Sequence, residues 1–347
     1  MHADGARAGG ARAHDAAALP PSGAKVLPMA PSLRRVVLAG LGASPKVLPA
    51  SLLYDAAGAA LFTAITRLDA YYPTRTELAI LDACAGELAA LLGPDAVLLE
   101  YGSGETTKVE RLLDALDAHG EAHRPAAYVP IDVSAEQLHA EAERLRARRP
   151  GLRVVPVVAD YTGPLELPPL PAGAARGRRV AFFPGSTIGN LHPPEAIAFL
   201  RTVAATCGPD GALILGVDLK KDPAVLHAAY NDPQGVTAAF NRNLLVRLNR
   251  ELGATFDPAR FAHHACYAPL AGRIEMHLVS DGAQTVTVAG TRVAFGDGES
   301  IWTESSYKYA PAELEALVGA GGFTVRRVWT DARRWFAVLF LTVADDG

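Results

Sequence analysis

Short apolar runs alternate with amphipathic ones along most of the chain after residue 95. Ala96 to Tyr101 (AVLLEY) is apolar almost throughout and ends at Gly102-Ser103-Gly104, which predicts a buried strand entering a tight loop. From Thr106 or Thr107, the residues Val109, Leu112, Leu113 and Leu116 fall on one helical face, and Gly120 closes it. Ala127 to Val133 predicts a second strand. Ser134 and Gln137 have the spacing of a capping box for the helix that follows. Leu152 to Ala159, Arg179 to Pro184 and Ala212 to Leu219 predict three more strands, with a helix from about Pro194. Strands alternating with helices predict a parallel, doubly wound sheet whose ligands sit at the carboxyl ends of the strands.

The alternation breaks after Leu219. Residues 223–252 have a helical pattern. Phe261 to Ala268, Arg273 to Val279, Gln284 to Val288 and Thr291 to Phe295 read as β runs, several with the alternation of a meander. A helix after Pro311 and two closing strands, Thr324 to Thr330 and Trp335 to Thr342, restore the α/β pattern. The expected fold is α/β, and a helix followed by a hairpin-like pair at the end of a parallel sheet suits a Rossmann-like class I methyltransferase domain with a seven-stranded sheet, the middle block reading as an inserted α+β substrate-binding domain. The expected boundaries are 76–220 with 309–347 for the first, and 32–75 with 221–308 for the second. Residues 1–31, rich in Ala, Gly, Arg and Pro and without periodicity, read as a disordered low-complexity tail. The Arg-rich start has the composition of a transit peptide but lacks the apolar block of a secretory signal.

Composition narrows the function. With 347 residues and 50% hydrophobic content the chain can bury one large core and a smaller one. A net charge of -4 offers no basic face for nucleic acid and no charged face for a membrane surface. No apolar run reaches the ~20 residues of a membrane helix. Cys84, Cys207 and Cys266 lie far apart, which argues against a disulfide framework and fits a reducing cytoplasm. The expectation is a cytoplasmic enzyme, monomeric, acting on a small molecule.

Candidate chemistry sits at three successive strand ends. Gly102-Ser103-Gly104 lets a ligand approach the backbone. Asp132 can accept both hydroxyls of a ribose. Asp160-Tyr161 can take an adenine amino group and pack on its ring. No third glycine follows Gly104, so the dinucleotide pattern of an NAD-dependent oxidoreductase is missing. A sulfonium cation without phosphate suits such an acidic pocket, and S-adenosylmethionine carries one. His263, His264, Cys266 and His277 show no zinc spacing, so no metal is expected.

Seven blocks carry a family resemblance: LLYDAAGAALFTAITRLDAYYPTRTE (52–77), LLEYGSGETTK (98–108), YVPIDVS (128–134), FFPGSTIGNL (182–191), GVDLKKD (216–222), AAYNDPQGVTAAFNRNLL (228–245) and IWTESSYKY (301–309). With them the chain resembles the bacterial L-histidine Nα-methyltransferases, which form hercynine on the route to ergothioneine. The resemblance implies that Gly102, Lys108, Asp132 and Asp160 bind S-adenosylmethionine, with Tyr161 beside them. It implies Tyr54 near the α-amine, Asn190 and Tyr230 on the amino acid's carboxylate and amine, and Gly185 in backbone contact. It places Tyr71, Glu304 and Ser306 around the imidazole and Met276 in the wall. Glu304 and Ser306 are two apart, so an extended segment turns both to one side. Two alternatives stand beside this reading: an N-methyltransferase for another amino acid such as a tryptophan derivative, and a non-catalytic S-adenosylmethionine-binding protein.

Overall fold

The computed structural model describes residues 32–344, apart from 105, 162, 164 and 170–176. The tail expected over 1–31 lies outside the described residues. In chain order, α1 (Leu33–Gly42), β1 (Lys46–Val47), α2 (Ala56–Ile65) and α3 (Tyr72–Leu92) come first. Strand and helix then alternate: β2 (Val97–Tyr101), α4 (Thr107–Ala118), β3 (Ala127–Asp132), α5 (Ala135–Arg148), β4 (Val157–Val158), β5 (Arg179–Phe183), α6 (Pro193–Cys207) and β6 (Ala212–Asp218). Next are α7 (Pro223–Tyr230), α8 (Val236–Leu252), β7 (Phe261–Ala268), β8 (Arg273–Ser280), β9 (Gln284–Val288), β10 (Thr291–Phe295) and β11 (Ser300–Tyr307). The described chain closes with α9 (Pro311–Ala320), β12 (Phe323–Thr330) and β13 (Phe336–Val343).

The large sheet has seven strands in the order β12-β13-β6-β5-β2-β3-β4, and β13 is antiparallel to both neighbours. β2 and β6 are buried along their whole length, as expected for strands covered on both faces. One face packs on α6 and α9 through Phe199, Leu200, Leu314 and Val318. The other packs on α3, α4 and α5 through Leu81, Leu88, Leu112 and Leu145. The strand order reverses between β2 and β5, which opens a crevice at their carboxyl ends.

A second sheet runs β1-β11-β8-β7, with α1, α7 and α8 contributing to its separate apolar core. All four β runs expected over 261–295 are strands, but they do not share one sheet. β9 and β10 pair only with each other, while β11, outside the four expected runs, is the inner strand beside β8. The third strand of the large sheet is also shorter than expected. Only Val157–Val158 pair, with a single bridge at Val154. Pro156 has no N–H to give the ladder, and the strand lies at the sheet edge where such an interruption is tolerated. Helix α3 begins at Tyr72, four residues ahead of the expected boundary at 76. None of the described helices is long and apolar enough to cross a membrane.

Candidate active site

The turn after β2 is shaped by Gly102. Its φ is +74°, and a Cβ there would lie 3.1 Å from the Tyr161 hydroxyl. Backbone and ring therefore meet in a cradle that a side chain at 102 would fill. The Tyr161 ring is held edge-on against Tyr101, Phe183 and Phe199, at centroid distances of 6.0, 6.2 and 6.0 Å. Burial raises its phenol pKa, and the carboxylates of Asp132 and Asp160 raise it further, which puts both acids in its vicinity. Asp132 ends β3, and burial lifts its own pKa, opposed by the amides of Ser134 and Val133. The Ser134 amide donates to Asp132 Oδ1 at 2.9 Å. Ser134 and Gln137 do not form the expected capping box. The Gln137 amide instead donates to the Gly104 carbonyl at 2.7 Å, tying α5 to the glycine turn. Under the turn, Glu100 accepts from the Tyr128 hydroxyl, and burial pushes its pKa to about 8. Two acids and a ring around a glycine cradle fit a nucleoside bearing a cation, so the residues suit S-adenosylmethionine.

Lys108 faces away from open solvent onto Glu77. Its Nζ lies 2.6 Å from the Glu77 carboxylate, and Glu77 is 1% exposed. The Gly185 amide donates to both oxygens of the same carboxylate, at 2.8 and 3.0 Å. Gly216 makes room for it: a Cβ on β6 at that point would stand 1.9 Å from Glu77 Oε1. Glu77 is not among the residues expected from the sequence. Its signal was an acid on the apolar face of α3, in register with the buried Ile80 and Leu81.

The segment from Gly185 to Asn190 joins the two halves of the site. Ser186 takes a left-handed conformation, and its Oγ accepts from the Asp218 amide at 2.9 Å. A Cβ at Gly189 would stand 2.8 Å from the Tyr307 carbonyl, so this turn lies directly on the backbone of β11. Asn190 ends the turn, half-buried.

On the β11 side, Glu304 is paired in register with Met276 of β8, and Ser306 with Ile274. Both polar residues thus share the sheet face of the apolar core, as their two-residue spacing predicted. Met276 is 1% exposed inside that core, so it backs the Glu304 position rather than forming an open wall. Glu304 is 9% exposed, and no hydrogen bond to its carboxylate is made among the described residues. Burial pushes its pKa to about 7, and the charge of Lys308 limits the rise. Ser306 Oγ lies 2.8 Å from the Tyr230 hydroxyl and 2.8 Å from Lys308 Nζ. Lys308 also donates to the Tyr230 hydroxyl at 2.9 Å and to Asp218 Oδ2 at 2.8 Å.

Aromatic rings complete the enclosure. Tyr54 packs on Phe62 and Phe240 at 5.5 and 5.4 Å, Phe62 on Tyr71 at 6.2 Å, and Tyr71 on Tyr230 at 6.3 Å. Tyr54 is 37% exposed at the rim, whereas Tyr71 and Tyr230 are buried. The Tyr54 phenol is raised above its ordinary value by burial and then by Glu304, Tyr230 and Tyr161. Of the histidines weighed as metal ligands, His263 bonds to Asn241 and the Tyr230 carbonyl. Cys266, Glu275 and His277 bring possible ligand atoms within 4.8 Å of one another, but Glu275 is held by Arg273 at 2.6 Å.

The family described as histidine-specific, S-adenosylmethionine-dependent methyltransferases matches residues 33–343. The histidine N-alpha-methyltransferase of Mycobacterium tuberculosis is 44% identical over 302 residues, covering 86% of this chain and 91% of that protein. Ergothioneine biosynthesis protein 1 of Neurospora crassa is 31% identical over 303 residues, covering 82% of this chain and 32% of that longer protein. The 4-dimethylallyltryptophan N-methyltransferase ifgB of Penicillium roqueforti is 27% identical over 308 residues, covering 85% and 88%. Matched along nearly its whole described length, the chain belongs to the histidine-specific, S-adenosylmethionine-dependent methyltransferase family.

Proposed function

We propose that this enzyme methylates the α-amine of L-histidine in successive transfers, ending at the trimethylated betaine hercynine, the first step of ergothioneine biosynthesis. The observation that carries the choice of substrate is the Glu304 carboxylate: enclosed, without a hydrogen-bond donor among the described residues, and two residues from a hydroxyl on the same face. An imidazole supplies the missing donor. An apolar ring would leave the acid buried and unpaired, a penalty of about 1–3 kcal/mol or more.

The residue roles proposed are those the family resemblance implies. S-adenosylmethionine supplies an electrophilic methyl group on sulfur. Asp132 and Asp160 hold the nucleoside, Tyr161 packs on it, and Gly102 admits it to the backbone. Lys108 belongs to the same cofactor set and is ion-paired to Glu77, which also takes the amide of Gly185. Asn190 and Tyr230 hold the amino acid's carboxylate and amine, and Tyr71 flanks the ring. Tyr54 stays protonated, since its environment raises its pKa. It orients the amine, whose proton leaves to water or through a hydrogen-bonded path. Alignment of nitrogen, methyl and sulfur is the main contribution of such a site.

The division into 32–75 with 221–308 and 76–220 with 309–347 belongs to the same proposal, supported by the separate apolar cores under the two sheets. So does action as a cytoplasmic monomer on a small molecule, which size-exclusion chromatography and fractionation test. The second reading, methylation of a tryptophan derivative, draws on the fungal relative at 27% identity. Competition between equimolar L-histidine and L-tryptophan, read by mass spectrometry, separates the two. Methylated tryptophan as the main product would overturn the histidine assignment.

A further inference from the structure

Lys308 is the least expected group in the site. Its ammonium is buried, and its three protons are all committed: to Asp218 at 2.8 Å, to the Tyr230 hydroxyl at 2.9 Å and to Ser306 Oγ at 2.8 Å. Burial opposes the charge, and Asp218 with Tyr230 outweighs it, so the pKa sits above the ordinary lysine value. Asp218 in turn is held ionised by Lys308 and Lys221 against its own burial. A lysine has donors only. Tyr230 and Ser306 must therefore both accept from it, and a single proton lies between their two hydroxyls. With Tyr230 donating to Ser306, both lone pairs of Ser306 Oγ are filled. Its own proton has no acceptor inside this triangle and is left for the substrate.

We propose that Lys308 is a positioning residue for substrate choice. It fixes Ser306 as a hydrogen-bond donor and keeps Glu304 an acceptor, so that the pocket selects a ring with one N–H and one bare nitrogen. A neutral imidazole has that pattern. The proposal rests on the histidine reading above and adds the charge state of the bound ring. Lys308, just past the end of β11, acts on Glu304, and Glu304 in turn raises the phenols of Tyr54, Tyr71 and Tyr230 from the segments packed over it. Of these, Lys308 alone carries a charge that lowers the Glu304 pKa.

The test is the Lys308→Met variant, assayed over pH 5.5–9 with L-histidine. At pH 7, kcat/KM falls at least about tenfold, mainly through KM. Affinity for S-adenosylhomocysteine stays within about twofold of wild type, since the lesion is local to the ring pocket. The acid limb of kcat/KM moves up by about one pH unit, because the charge that favoured the carboxylate is gone. A merely structural role does not move that limb. If the methionine variant fails to bind S-adenosylhomocysteine, Lys308→Gln carries the test, keeping a donor without the charge and giving the same shift. Lys308→Arg returns the limb to its wild-type position. An unmoved limb in an uncharged variant that binds S-adenosylhomocysteine, or a loss borne by kcat and S-adenosylhomocysteine binding alike in both uncharged variants, overturns the proposal. Wild-type enzyme that leaves histidine unmethylated refutes the substrate assignment itself, and shows before any variant is made.

Discussion

Lys108 closes on Glu77 at 2.6 Å, and the same carboxylate takes the amide of Gly185. One acid at the start of α3 thus links the helix after the glycine turn to the loop that leads to Asn190. Glu77→Ala leaves the Gly185 amide without its acceptor and Lys108 without its counter-ion. Breaking a buried pair from one side costs about 3–5 kcal/mol, and Lys108, 18% exposed, recovers part of that in water. Denaturant unfolding is expected to show a loss of a few kcal/mol, with weaker binding of both cofactor and histidine. A stability loss under about 0.5 kcal/mol, the level of an ordinary surface change, would contradict the role.

Asp132→Ala tests the cofactor pocket. Charge-assisted bonds to ribose hydroxyls are worth roughly 1.5–3 kcal/mol each. Calorimetry is expected to show S-adenosylmethionine affinity reduced by one to several orders of magnitude, at about tenfold per 1.4 kcal/mol. Unchanged affinity in a folded variant refutes the assignment.

Much of this site was legible because local signals mark strand ends. Gly102, Asp132 and the Asp160-Tyr161 pair follow from apolar runs that end in glycine or acid, and the spacing of Glu304 and Ser306 follows from strand periodicity. What escaped was long-range. Glu77, Asp218 and Lys308 look like ordinary charges in their own segments, and only the packing of α3, β6 and β11 brings each to its partners. The shortened edge at Val157–Val158 and the inner place of β11 escaped for a related reason: apolar content predicts a strand but not its neighbours. Gln137 had capping spacing, yet the Gly104 carbonyl offered it a tertiary partner.

Glu304→Ala separates recognition from support. Loss of a hydrogen bond to a charged group is expected to lower histidine kcat/KM at least about tenfold. Turnover of tryptophan or phenylalanine is expected to fall less or to rise, since the buried acceptor that penalises an apolar ring is gone. Cofactor affinity stays near wild type. An equal fall for every amino acid would make Glu304 a support of the fold.

The raised pKa of Glu304 also sets a pH signature. Its ordinary value is 4.5, and in the folded protein it titrates near 7. Between these values the folded state holds a proton that the unfolded state has lost. Stability therefore falls as pH rises through that window, while the ionised acceptor proposed for histidine appears. Glu304→Gln removes this opposition. At pH 8 the variant without ligand is expected to be more stable than wild type by about 1–3 kcal/mol, with the gap closing toward pH 5. A gap independent of pH would show that Glu304 does not titrate in this range.

The most direct measurement is the reaction of wild-type enzyme with L-histidine and S-adenosylmethionine, with each methyl group placed by NMR. The expected product carries its methyls on the α-nitrogen and accumulates as the quaternary trimethylammonium, with the imidazole protons unaltered. Methyl groups on a ring nitrogen, or histidine recovered unchanged while another amino acid is methylated, would contradict the account.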